Sequence, residues 1–186
     1  RPKHSTVFSS DSLLAAEDHL LQRARTATGP TIDLTTVGTI TSKADSEGRV
    51  LGPDQAAALA SVAVPGRVVD VLVGPAGAGK TAAMNAPRRA WETEHGAGSV
   101  VGLAPSAVAA QVLADDLRIA TENTAKWWTT HQHTGVTFKA GQLVIIDEAS
   151  LAETLSLNRI TLAAEEAGTK VLPSSRPSMP VVRSAC

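Results

Sequence analysis

The stretch RVVDVLVGPAGAGKTAAMNAPRRAWE, residues 67–92, sets a nearly unbroken aliphatic run, interrupted by Asp70, directly ahead of a glycine-rich turn and a helical segment. A strand with no polar alternation is expected where both faces of a sheet are covered, so the run asks for helices on either side. Gly74, Gly79, Lys80 and Thr81 satisfy G-x-x-x-x-G-K-[ST] in the strand–turn–helix context that this pattern requires. Its glycines let the backbone curl until successive N–H groups face inward at phosphate oxygens, and Gly77 and Gly79 omit a Cβ where an anion lies close. Gly74, Pro75, Ala76, Gly77, Ala78, Gly79, Lys80 and Thr81 therefore form the candidate nucleotide cradle. Lys80 is placed to bridge the terminal phosphates as a catalytic residue and Thr81 to ligate Mg2+, with the positive end of the helix adding attraction for the anion.

Beyond the turn, aliphatic runs alternate with helical stretches, the order that builds parallel βαβ units rather than hairpins. Strands are expected at 67–73, 99–104 and 142–147, and helices at about 79–94, 106–117, 124–131 and 151–167. The predicted fold class is α/β, a parallel sheet flanked by helices. Residues 9–27 place Leu13, Ala16, Leu20 and Ala24 on one helical face, a helical N-terminal appendage to that sheet. Gly52 and Pro53 fit the N-cap and first-turn proline of a short helix reaching about Val62. The Gly29–Gly52 segment reads as a linker with little structure of its own, in which TIDLTTVGTIT (31–41) alternates well enough for a short strand or hairpin. TGVTFKAG (134–141) reads as a small hairpin. With 3% aromatics and no Tyr among 43% hydrophobic residues, the interior has to be built from Ala, Val, Leu and Ile.

LVIIDEAS, residues 143–150, ends a buried strand on two acids. Asp147 is placed to hold Mg2+ through its water shell, and Glu148, the second candidate catalytic residue, to orient or deprotonate the water that attacks the terminal phosphate. A solvated strand end has the same appearance, but the phosphate-gripping loop 67 residues upstream, counted from Lys80 to Asp147, weighs against it.

Lys+Arg 17 against Asp+Glu 18 leaves a net charge of −1, so nucleic acid is not held by overall charge and any DNA contact has to be local. The single cysteine, Cys186, permits no internal disulfide and suits a reducing compartment. No apolar run reaches the roughly 18–20 residues of a membrane span, which makes a cytoplasmic protein without a membrane partner the expectation. A chain that opens on Arg1 reads as a piece of something longer.

GPDQAAAL, VGPAGAGKT, GLAPSAVAAQVL, ENTAKWW and LVIIDEASL, in this order, resemble the first motor domain of superfamily 1 DNA helicases. The resemblance is strongest to the helicase part of MobF-type conjugative relaxases of actinobacterial plasmids and covers roughly residues 5–172. It implies a RecA-like P-loop NTPase domain, ATP and Mg2+ as cofactors, and single-stranded DNA as a partner of the parent family. It further implies that Gln55 reads adenine and that Pro105, Ser106 and Ala110 lie in the segment touching the DNA backbone. Read from the residues alone, Gln55 is also a plausible first-turn polar residue and Ser106 a plausible N-cap. The implied strand order, 5-1-4-3-2, inserts a strand at about 169–172 between the P-loop strand and the Asp147 strand. The expected division is an N-terminal helix and linker to residue 50, an incomplete ATP-binding domain over 51–172, and an irregular tail over 173–186.

The chain departs from that pattern in two places. Pro87 stands where the family and the apolar period of Ala83, Ala90 and Trp91 want an aliphatic residue, at a cost of about 3 kcal/mol and with an expected kink. From Pro173 on, the Gly-Asp-x-x-Gln-Leu motif and the second motor domain with its arginines are missing, so the strand at 169–172 is expected to be cut short and the sheet truncated. A displaced reading frame is one account of the tail: codons for Pro177–Ala185 exist that, read two bases out, give V-D-A-G-G-A-F-G, a string similar to the family's continuation. Weak or absent hydrolysis follows from the missing arginines. The competing readings are a non-enzymatic remnant or protein-interaction fragment, and a complete P-loop ATPase of another family. Trp127 and Trp128 could stack bases, but neighbours about 100° apart on a helix suggest one in the core and one partly exposed. His131 and His133 alternate like a metal pair without further ligands nearby, and Asp115 and Asp116 read as a solvated helix end.

Overall fold

The aliphatic runs assemble into one parallel sheet. A computed structural model of the chain describes residues 3–73, 78–147 and 154–175. Along the chain these form α1 (Lys3–Arg25), α2 (Leu34–Ser42), α3 (Pro53–Ala63), β1 (Leu72–Val73), α4 (Ala78–His95) and β2 (Val100–Ala104). They continue with α5 (Ala107–Leu117), β3 (Ala120–Asn123), α6 (Thr124–Thr134), β4 (Leu143–Ile146), α7 (Thr154–Ala167) and β5 (Lys170–Ser175). The strand order is β1-β5-β4-β2-β3, every pair parallel. The fold is α/β of the RecA-like P-loop type, with β5 between β1 and β4 as expected.

Period-two alternation divides the core in two. Leu72, Val100, Leu143, Ile145 and Leu172 cluster with Met84, Ala90 and Trp91 of α4, Leu59 and Val62 of α3, and Leu113 and Leu117 of α5. Leu103, Val144, Ile146 and Val171 face the other way, into Ile160, Ala163 and Ala164 of α7 and into Phe138. Trp91 and Phe138 are the buried aromatics of an otherwise aliphatic interior; Trp91 is 0% exposed and its Nε1 donates to the Gly141 carbonyl at 2.8 Å. α1 packs on α7, where Arg23 donates through Nε to Glu165 Oε2 at 2.9 Å and through Nη1 to Asn158 Oδ1 at 2.6 Å.

Several expectations are corrected. Residues 34–42 form a helix where a strand or hairpin in a loose linker was expected. Asp33 caps it by accepting from Thr35 N at 3.2 Å, and Val37 and Ile40, three apart, are buried against α3 and α4. Burial on one helical face outweighs the β preference of the threonines. Residues 135–142 contain no strand, because their polar groups are used locally: Val136 O lies 2.8 Å from His131 Nδ1, and Lys139 N donates to Gln142 Oε1 at 2.8 Å. β3 is an unexpected edge strand, since ATEN carries no apolar run. α4 runs from Ala78 through Pro87 to His95, in keeping with the helix expected over about 79–94.

Nor does the last strand stop at Pro173. β5 runs through it to Ser175, with Ile146 opposite Pro173 and Val73 opposite Ser175. Val171 exchanges backbone hydrogen bonds with the β1 side, donating to Val68 O at 2.8 Å and accepting from Asp70 N at 3.2 Å. Alternation turns Pro173 toward the same neighbour, where its missing N–H leaves the ladder a bond short. That accounts for the expected strand 67–73 being reduced to a lone bridge at Val69 and the two residues of β1.

Side chains hold this weak seam. Lys170, 0% exposed, donates through Nζ to Asp70 Oδ2 at 2.7 Å and to Arg67 O at 2.8 Å. Arg67 in turn donates through Nε to Asp70 Oδ1 at 2.9 Å and through Nη2 to Ser61 O at 2.6 Å, tying in the end of α3. Burial holds the pKa of Lys170 below its ordinary 10.5, with Asp70 opposing the shift. Replacing Lys170 by Met leaves Asp70 with Arg67 and is expected to cost about 3 kcal/mol at neutral pH. Native Lys170 releases its proton at lower pH than the unfolded chain, so between the depressed value and 10.5 the unfolded state binds more protons. The wild-type advantage over Lys170→Met in urea unfolding should therefore grow as pH rises toward 10.5, and a falling difference would contradict it.

Candidate nucleotide site

Because every strand is parallel, the carboxyl ends collect at one edge of the sheet, the edge at which open α/β sheets hold ligands. β1 delivers the chain to that edge and α4 leaves it at Ala78. Gly74, Pro75, Ala76 and Gly77 lie outside the described residues, as does Glu148. Ala78, Gly79, Lys80 and Thr81 form the first turn of α4, whose leading N–H groups have no partner within the helix and carry the positive end of its dipole.

Asp147 follows β4 directly, and its N–H donates to Leu103 O at 3.0 Å. The register fixes its height in the sheet: Ile146 pairs with Pro173, and Ser174 pairs with Leu72. Asp147 is thus level with Ser174 and with Leu72, two strand spacings from β1, or about 9.5 Å across the sheet. Its carboxylate lies on the α4 face, continuing Leu143 and Ile145, and Ser174, on the same face as Leu172, reaches it with Oγ at 3.4 Å from Oδ1. The tip of the acid-bearing strand and the start of α4 therefore share one edge and one face.

Other expected residues are distributed around this arrangement. Gln55 is exposed in the first turn of α3, and its Oε1 accepts from Gly52 N at 3.2 Å, so at least one of its roles is to cap that helix. Pro105 and Ser106 are exposed at the carboxyl end of β2, on the same edge as Asp147, and Ser106 Oγ accepts from Ala109 N at 3.1 Å as the N-cap of α5. Ala110, one turn on, is buried. Trp127 and Trp128 are both half-buried against the α7-side cluster, where one in the core and one partly exposed was expected. The Trp127 ring stacks with Phe138 at 4.3 Å and with His131 at 5.0 Å, and the Arg159 guanidinium lies 5.5 Å from the Trp128 ring. Ser174 was not foreseen; a segment read as irregular from Pro173 gave no reason to place it on a strand, and only the pairing of β5 puts it beside Asp147.

Residues 50–174 match the family of AAA domains, a span that holds the glycine-rich turn, Asp147 and Ser174. The chain belongs to the AAA domain family. It is also 35% identical over 123 residues, 66% of this chain, to the conjugal transfer protein TraA of Rhizobium radiobacter. The chain spans only 11% of the length of that protein. An AAA domain is a nucleotide-binding unit. Among the described residues no helix is long and apolar enough to cross a membrane.

The oxygen donors present suit the hard cation that usually accompanies a nucleotide. Mg2+ keeps several waters and takes one or two carboxylates plus phosphate oxygens rather than an all-protein cage. Asp147 with a neighbouring hydroxyl fits that demand, and among the described residues no group of three or more His, Cys, Asp or Glu offers a cage instead. Removing the cap at Ser106 tests the local structure of this edge: Ser106→Ala is expected to lower the unfolding free energy by about 1 kcal/mol in urea melts.

Proposed function

We propose that the chain is the Mg-ATP-binding part of a DNA helicase or conjugative relaxase motor, of the superfamily 1, MobF type. The position of Asp147 supports this most directly: a carboxylate at the tip of β4, on the face that carries α4 and level with the end of β1. In this reading the amides of residues 74–79 and the Lys80 ammonium neutralise the phosphate oxygens, while Thr81 and Asp147 orient the metal through a hydroxyl and a carboxylate. Mg2+ supplies charge neutralisation between the terminal phosphates when bound. Glu148 is the base or water-orienting group, Gln55 reads the adenine, and Pro105 and Ser106 lie on the single-stranded DNA path of the parent motor. Hydrolysis by this chain alone is weak or absent, because stabilising the transferring phosphoryl group takes an arginine from a partner domain, worth about 10^3–10^5 in rate. The cytoplasm is the compartment in which such a motor works.

Thermal melting with and without Mg-ATP tests the assignment. Ligand at a hundred times its Kd adds about 2.7 kcal/mol, so the melting temperature should rise by about 5–10 °C. Lys80→Ala should abolish the rise, and Asp147→Ala should leave only the part seen in EDTA. A cooperative melt that no nucleotide shifts would refute ATP binding, and no cooperative melt at all would favour the non-enzymatic remnant.

A further inference from the structure

We propose that Ser174 is a positioning residue of the metal–nucleotide site, its buried hydroxyl fixing the plane of the Asp147 carboxylate. The proposal rests on the nucleotide-binding reading above and adds to it a residue outside both sequence motifs. Ser174 is 1% exposed and sits on β5, the strand between the phosphate-loop strand and the acid-bearing strand. Its Oγ lies 3.4 Å from Asp147 Oδ1 and 3.3 Å from Ile146 O. A hydroxyl carries one hydrogen, so these two acceptors compete for it, and an ionised carboxylate is the stronger of the two. No bulk water competes for the hydroxyl at a fully buried position.

Local chain stiffness makes the placement definite. Pro173 fixes its own φ immediately before Ser174, and the strand is paired on both sides here, Ser174 with Leu72 and Pro173 with Ile146. A carboxylate that serves a metal works best when a second group holds its orientation, and loss of such an outer partner typically costs 10–100-fold in metal affinity. Ser174 is the described side chain on the α4 face that the central strand offers to Asp147. A hydroxyl kept only to satisfy the Ile146 carbonyl would act on stability alone.

Nucleotide affinity, measured by calorimetry on the full chain in Mg2+ and in EDTA, separates these roles. Ser174→Ala should lower ATP affinity about 10-fold in Mg2+ and leave the EDTA value at the wild-type level. In an Asp147→Ala background the same substitution should have no further effect on the Mg2+ value, the coupling expected of two groups acting as one. Equal losses in Mg2+ and EDTA, no loss in either, or additivity with Asp147→Ala would overturn the proposal. Should Ser174→Ala fail to melt cooperatively, Ser174→Cys keeps the volume and a weak donor, and a smaller loss confined to Mg2+ is then expected. If wild type itself binds no nucleotide, or Lys80→Ala binds as well as wild type, the nucleotide reading falls, and this inference with it.

Discussion

The ammonium of Lys170, fully enclosed, ties the phosphate-loop strand to the middle of the sheet where the backbone ladder is a bond short. Pro173 removes the donor, and the Lys170–Asp70–Arg67 group spans the same seam with shorter, charge-assisted bonds. The height of the end of β1 relative to Asp147 depends on this seam. β1 has two paired residues at its end, so its height relative to β4 is set by what β5 can hold on both sides. A buried ion group is costly to desolvate and is retained where it fixes an arrangement that apolar packing leaves free to slide.

Both faces of the sheet contribute to that arrangement, unequally. The face toward α3, α4 and α5 carries Trp91 and the larger cluster, and it is the face on which Asp147 and Ser174 emerge. The opposite face is covered by α7, with α1 bound outside it through buried Arg23. The half-buried pair Trp127 and Trp128 closes the far end of that second layer with Phe138 and Arg159. A tryptophan whose ring already stacks on two neighbours has less face to offer a base.

Much of this was legible in the chain. The β4 run with its terminal acid, the helices α4, α5, α6 and α7 and the α/β class all follow from aliphatic runs separated by helical periods. Less legible were elements whose sequence signal contradicts their environment. α2 is rich in threonine and reads as extended until Val37 and Ile40 find α3 and α4 to bury against, although Asp33 was a cap in plain view. β3 is short, polar and at an edge, so it has no apolar signature to detect. Pro173 argued against a central strand by a sound rule, yet the strand forms because the residues around it pair on both sides, Val171 with Val68 and Asp70 and Lys170 with Gln142.

The sequence by itself determined where the proposed chemistry lies: glycines and a lysine after a strand, and acids at the end of another, are what a curled backbone and a charged ligand would require of nearby residues. Tertiary structure alone decided which strands lie beside each other and at what height. That choice placed Ser174 against Asp147 and Lys170 under β1, contacts between residues 27 and 100 positions apart that no local pattern encodes. Local propensity acts over a few residues, whereas strand register is set by burial and by the pairing of backbone groups across the whole sheet.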